Sequence, residues 1–144
     1  METLKISELS VGDWVEIDHE DYGWKPAQLN VCGDIGVGAY FKDVDPDEEY
    51  DCTLCQLRPI PITAEILEKS GWSTDGMYAF LRIDEHRHLE YYYHEHRLRK
   101  YYCGVDEWQN HAKVNDITFA VHCYSVHQLQ HALRLAGVDK EINL

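Results

Sequence analysis

Long hydrophobic runs are missing from this 144-residue chain. No apolar stretch approaches the roughly 18 residues that a spanning helix needs, so no membrane partner is expected. The opening Met1-Glu2-Thr3-Leu4-Lys5 lacks the apolar core of a secretory signal, and a cytoplasmic protein is expected. Positive charge is scarce too. Lys and Arg total 13 against 26 Asp and Glu, a net charge of -13. The deficit is local: residues 1–60 hold 14 acidic and 4 basic side chains, residues 61–104 hold 7 and 6, and residues 105–144 hold 5 and 3. Without a basic stripe to neutralise phosphates, duplex nucleic acid is excluded as a partner. The acidic first part reads as a solubilising surface or as a face for a basic host protein.

A disulfide framework is also lacking. The five cysteines Cys32, Cys52, Cys55, Cys103 and Cys123 are an odd number, which fits reduced thiols in a cytosol. Cys52-Thr53-Leu54-Cys55 is the one close pair, and no second pair stands at zinc-ligand spacing. No metal and no cofactor are therefore expected. There is no Gly-x-Ser-x-Gly, P-loop or Rossmann fingerprint. Gly33, Gly36 and Gly38 enclose the acidic Asp34, which argues against a phosphate cradle. Apolar residues at 44% and charged residues at 27% are those of an ordinary globular domain, which excludes disorder.

What is present is strand and turn chemistry. Gly12-Asp13 precedes alternation of Trp14 and Glu16 against Val15 and Ile17. Pro26 to Cys32 places Ala27, Leu29 and Val31 on one face, Gly36 to Phe41 gives a third strand, and Tyr50 to Leu57 a fourth. Several short strands in about fifty residues predict an SH3-like small β-barrel over residues 1–59. Pro59 and Pro61 then hold the chain extended, and Thr63 caps a short helix that Gly71 ends. Residues 60–144 are expected to form an α+β unit. Met77, Ala79, Leu81 and Ile83 alternate with Tyr78, Phe80 and Arg82, Leu89 to Cys103 gives one or two strands, and Ile117 to Cys123 alternates again. A last helix begins at Ser125, with Gln128 as its capping-box partner and Tyr124 stapled to Leu129. Val126, Leu129, Ala132, Leu133 and Ala136 form its apolar stripe. The fold class is α+β: the barrel, then an antiparallel sheet covered by the C-terminal helix.

Three phrases carry a resemblance: Gly12-Asp13-Trp14-Val15, Pro59-Ile60-Pro61-Ile62-Thr63 with its helix up to Gly71-Trp72, and Val126-His127-Gln128-Leu129-Gln130. In this order they resemble a family of small proteins from prophages and mobile elements of gut Bacteroidetes. The match covers about a fifth of the chain. The family usually continues into aromatics and a Leu-Thr-Gly-Glu-Glu-Leu ending, whereas here the chain reads His131-Ala-Leu-Arg-Leu-Ala-Gly137. The resemblance implies a phage or mobile-element origin and brings no reaction with it. Within the last motif, Val126 and Leu129 read as core, Gln128 as a cap, and His127 and Gln130 as structural.

Nine histidines are many for this length, and His86, His88, His94 and His96 flank a run of tyrosines. Tyrosine offers a ring for stacking and a hydroxyl for bonding, and histidine a group that titrates near neutrality. Arg97, Arg99 and Lys100 add positive charge to an acidic chain. Tyr92, His94, His96, Arg97 and Arg99 are accordingly the candidate ligand-binding residues. An unbroken strand would separate Tyr92, His94 and His96 from Arg97 and Arg99, whereas a turn near Glu95 would allow both sets in one site. No catalytic residue is assigned. The expected function is that of a non-enzymatic binding protein acting on a host system through a host protein or a small anionic ligand. The alternative is a small metal-dependent enzyme built on the histidine-rich segment.

Overall fold

The computed structural model describes residues 4–102 and 116–144. Cys103 lies outside them, as do the side chains of Tyr102, Ile117 and Thr118. The architecture is α+β, built largely from two antiparallel five-stranded sheets. The chain divides into two compact units, one of residues 1–61 with 125–127, the other of residues 62–124 with 128–144.

The first unit is a curled half-barrel sheet. Its strands are β1 (Trp14–His19), β2 (Gly23–Cys32), β3 (Gly36–Phe41), β4 (Tyr50–Thr53) and β5 (Leu57–Arg58), in the spatial order β4-β3-β2-β1-β5. Gly12 and Asp13 set the entry to β1. Gly12 takes a φ of 96°, which a side chain would oppose, and the buried Asp13 carboxylate accepts the Ser10 N–H at 2.8 Å. Val15, Ile17, Ala27, Leu29, Ala39 and Phe41 fill the core, as alternation requires. Val31 departs from the expected face. A bulge between Leu29 and Val31 shifts the register, and Val31 is left 48% exposed. The expected fourth strand also divides: a 3-10 turn, Leu54–Gln56, separates β4 from β5. It places Cys55 on the surface and Cys52 in the core, so the close cysteine pair shares no face.

In the second unit, α1 (Ala64–Lys69) begins at Thr63, whose Oγ1 accepts the Ile66 N–H at 3.2 Å. It ends in a Schellman motif: Gly71 has a φ of 91°, and the Trp72 N–H reaches the Leu67 carbonyl at 2.9 Å. The sheet has the order β10-β9-β8-β7-β6, from β6 (Ser73–Thr74), β7 (Tyr78–Arg82), β8 (Arg87–Tyr92), β9 (Arg97–Tyr102) and β10 (Asp116–His122). Two aspartates make the turns around β7. Asp75 accepts the Met77 and Tyr78 N–H groups, both at 2.8 Å. Asp84 accepts those of His86 and Arg87, both at 2.9 Å. Met77, expected to open the alternation of this strand, sits instead in the first of these turns and is 55% exposed. Ala79, Leu81, Leu89, Tyr91 and Leu98 are buried on one face of this sheet.

The last helix, α2 (Val126–Leu135), buries its expected stripe: Val126, Leu129, Ala132, Leu133 and Ala136. It ends as α1 does, with Gly137 at a φ of 74° and the Val138 N–H on the Leu133 carbonyl at 2.9 Å. Its start differs from the expected capping box. Gln128 Oε1 accepts the N–H of Tyr124 at 2.7 Å, one residue further back than the cap. Tyr124 is 57% exposed with its ring 4.9 Å from that of His96, in place of the expected staple onto Leu129. The Val126 N–H bonds the Ile60 carbonyl at 2.8 Å, and Pro61 bridges Ser125. The Pro-Ile-Pro-Ile-Thr and Val-His-Gln-Leu-Gln phrases thus meet through the backbone.

Candidate functional site

The site grows from the β8–β9 hairpin. Tyr93, His94, Glu95 and His96 form its four-residue turn, and His96 takes a φ of 53°. The continuous-strand arrangement of Tyr92, His94 and His96 is thereby replaced. A strand run through this segment would leave two hydrogen-bonding edges to satisfy in single file. The turn lets β9 fold back and pair with β8. Tyr92 and Arg97 become cross-strand partners, and Arg99 pairs with Glu90.

Register then assembles the outer face of the second sheet. One row runs Tyr78, Tyr92, Arg97, His122, and the next runs Phe80, Glu90, Arg99, Ala120. A third places Arg82, His88 and Tyr101 side by side. Tyr78 and Tyr92 stack with ring centroids 4.8 Å apart and planes at 21°. His88 and Tyr101 stack at 5.0 Å and 10°. Phe80, 6.0 Å from Tyr78, is 39% exposed. The Arg99 guanidinium donates to the Tyr101 hydroxyl at 3.4 Å, and Arg97 pairs with Glu95 at 3.4 Å. Both arginines are partly exposed, so their guanidiniums are open to solvent beside this row. At the turn end, Gly76, Met77, Tyr92, Tyr93 and His94 line a cavity of about 350 Å³.

Of the predicted ligand residues, Tyr92, Arg97 and Arg99 lie together on this face, and His94 borders the cavity beside Tyr92. His96 does not join them. The buried Tyr91 hydroxyl donates to the Cys123 carbonyl at 2.7 Å and lies 3.2 Å from His96 Nδ1. A hydroxyl has one proton, so His96 Nδ1 carries the hydrogen of the second bond. The His96 carbonyl accepts the Cys123 N–H at 2.7 Å. His96 therefore ties the turn to the chain after β10. Burial raises the Tyr91 hydroxyl pKa, and it pushes the Cys123 thiol to about 12, so neither ionises near neutrality.

In the last motif, His127 is 2% exposed, with Nδ1 3.1 Å from the Ser125 hydroxyl. Val126 and Leu129 are fully buried, Gln128 caps, and Gln130 is half-buried. The histidine-rich segment is dispersed. His86 and His88 lie at one end of β8 and His94 and His96 at the other, roughly 20 Å apart for a strand of this length. Among the described residues no three His, Cys, Asp or Glu side chains stand close enough to hold a metal ion. Nor is any described helix long and apolar enough to cross a membrane.

Sequence reasoning missed Met77, Tyr78, Phe80 and Tyr101 as members of this face. The alternation of β7 was visible, but only the pairing of β7 with β8 brings Tyr78 to Tyr92. Comparison of the chain with family models, with curated proteins and with solved structures gives no match.

Proposed function

We propose that the chain is a non-enzymatic binding protein of phage or mobile-element origin, working in the cytoplasm of a bacterial host. Its ligand is small, planar and anionic, of the nucleotide class, and it binds on the outer face of the second sheet. The observation that carries this reading is the row Tyr78-Tyr92-Arg97 beside Arg99, at the mouth of a 350 Å³ cavity. An aromatic base stacks on the exposed edge of the tyrosine pair and against Met77, while the guanidiniums meet its phosphate. Stacking of a base contributes about 1–3 kcal/mol. Each charge-assisted bond adds about 1.5–3 kcal/mol.

Two finer points of fold belong to the same reading. The first unit is an SH3-like barrel, supported by the order β4-β3-β2-β1-β5 and by the 3-10 turn before β5. The C-terminal helix covers the inner face of the second sheet, supported by its buried stripe and by the Lys100 ammonium donating to the Ala136 carbonyl at 2.6 Å.

A thermal-shift screen with nucleoside mono- and triphosphates tests the site. The reading expects stabilisation of the wild type that is reduced in Tyr92→Ala and in His94→Ala. Stabilisation that persists unchanged in both variants places the ligand elsewhere.

A further inference from the structure

The first unit carries a second concave surface that the nucleotide reading leaves unused. It lies on the outer face of β3 and β4, with a volume of about 420 Å³. Its floor is backbone, because Gly36 and Gly38 turn no side chain outward. A Cβ at Gly36 would collide with the Cys52 carbonyl, and one at Gly38 would collide with Glu49 Oε1 and lie 3.1 Å from Asp51 Oδ1. Two carboxylates therefore converge over Gly38. Glu49 is held there by its other oxygen, which accepts from Asn30 Nδ2 at 2.9 Å. The opposite wall is apolar: Ile35 is 89% exposed and Val31, turned out by the bulge, 48%. The strand that borders the groove, β4, stands at the end of the sheet order, and among the described residues no strand pairs with its outer edge.

We infer that this groove receives a basic, extended segment of a partner protein. The segment adds to the edge of β4 through its backbone, and it sets an arginine or lysine over Gly38 between Glu49 and Asp51. The physical case has three parts. An edge strand presents N–H and C=O groups that a partner strand can satisfy, and this supplies affinity without regard to sequence. The aliphatic stem of an arginine or lysine crosses the outer face of β4 and its charged head meets the carboxylates, with Val31 and Ile35 forming the apolar wall beyond it. The net charge of -10 over residues 1–60 draws a basic partner and repels an acidic one. The bulge has a role in this account, since a regular β2 would turn Val31 into the core and remove one wall.

The test uses the full chain and two defined peptides: an eight-residue peptide alternating arginine with valine, and its counterpart alternating glutamate with valine. Fluorescence anisotropy reads binding at low and at physiological salt. The expected result is binding of the arginine peptide alone. Binding weakens at least tenfold in the Glu49→Gln/Asp51→Asn double variant. It changes less than twofold in Asp43→Asn/Asp47→Asn, which removes equal charge outside the groove. Amide resonances of Ile35, Gly36, Asp51 and Thr53 should move on titration, which also shows that each variant is folded. Tyr92→Ala should bind the peptide as the wild type does, so failure here is separable from failure of the nucleotide reading. No binding, equal losses in the two charge variants, or resonance shifts confined to other residues would overturn the proposal.

Discussion

In the first unit the Phe41 and His19 rings turn inward, while Tyr22 and Tyr40 stay exposed and the Trp24 ring lies under the Arg58 guanidinium, whose carbon is 4.3 Å from the ring centroid. His19 stacks on Tyr50 at 4.9 Å and meets Phe41 edge-on at 5.2 Å, closing one end of the core, while carboxylates crowd the Asp43–Asp51 connection. In the second unit the sheet buries aliphatic residues with Tyr91 and leaves Tyr78, Phe80 and Tyr92 on its other face, beside Arg97 and Arg99. Residues 61–104 are nearly charge-balanced, with 7 acidic and 6 basic side chains. The same residue types thus serve two ends. Rings enclosed by a curled sheet fill volume, and rings on an open sheet beside guanidiniums make a surface able to stack on a planar anion. Net charge also separates the two regions, -10 over residues 1–60 against -1 over residues 61–104, so the proposed partners differ: a cation for the first unit, and for the second an anion met locally by Arg97 and Arg99.

The largest expected effect comes from breaking the buried side of the second unit. Leu129 is fully buried in the helix stripe, so Leu129→Ala should cost about 2–5 kcal/mol in denaturant unfolding. An unchanged midpoint would mean that this helix face is not part of the core. Thiol chemistry sharpens the contrast between inside and outside. Burial raises Cys52 to about 11, with Asp51 and Cys55 adding to it, and Cys123 to about 12, whereas Cys55 is exposed. In the native protein a maleimide should label Cys55 at least about tenfold faster than Cys52 or Cys123, as peptide mapping would show.

Acid should act on the turns of the second sheet. The Arg87 side chain, followed by the His86 N–H, holds the Asp84 carboxyl at about 2, below the usual range of an aspartate. A group with a lowered folded pKa stabilises the fold above its unfolded pKa, and the contribution fades as pH falls through the folded value. Thermal midpoints should therefore decline between about pH 4 and pH 2, and the decline should be shallower in Asp84→Asn. An identical decline in that variant would assign the acid sensitivity to other groups. The smallest effect is the absence of one: duplex DNA should not bind at physiological salt, and a submicromolar gel-shift constant would contradict the charge argument.

Local signals in the sequence were read well where one residue type answers one backbone need. Gly12, Thr63, Gly71 and Gly137 mark turns and helix ends because positive φ and orphan N–H groups leave few alternatives. Alternation located Val15, Ile17, Ala79 and Leu81 in the cores. Three features needed tertiary information. The bulge that exposes Val31 depends on how β3 meets β2. The reach of Gln128 to the Tyr124 N–H, past the cap, goes with a Tyr124 ring that lies near His96 rather than on Leu129. The membership of Tyr78 and Phe80 in the candidate face depends on cross-strand register, which spacing within one strand does not encode. Tyr92, Arg97 and Arg99 were legible as chemistry, and the turn at Tyr93–His96 determined that they share a face. The place of His96 was not legible, because its residue type suits a ligand as well as the bond to Tyr91 that it makes.

The most direct test of the anion-binding face is a resonance titration of the isotopically labelled full chain with adenosine monophosphate, repeated on Arg97→Gln/Arg99→Gln. The account predicts saturable shifts at Tyr78, Tyr92, Arg97 and Arg99 and at the Met77 methyl group, with at least a tenfold weaker midpoint in the double variant. Shifts confined to the first unit, or an unchanged midpoint without the two guanidiniums, would contradict it.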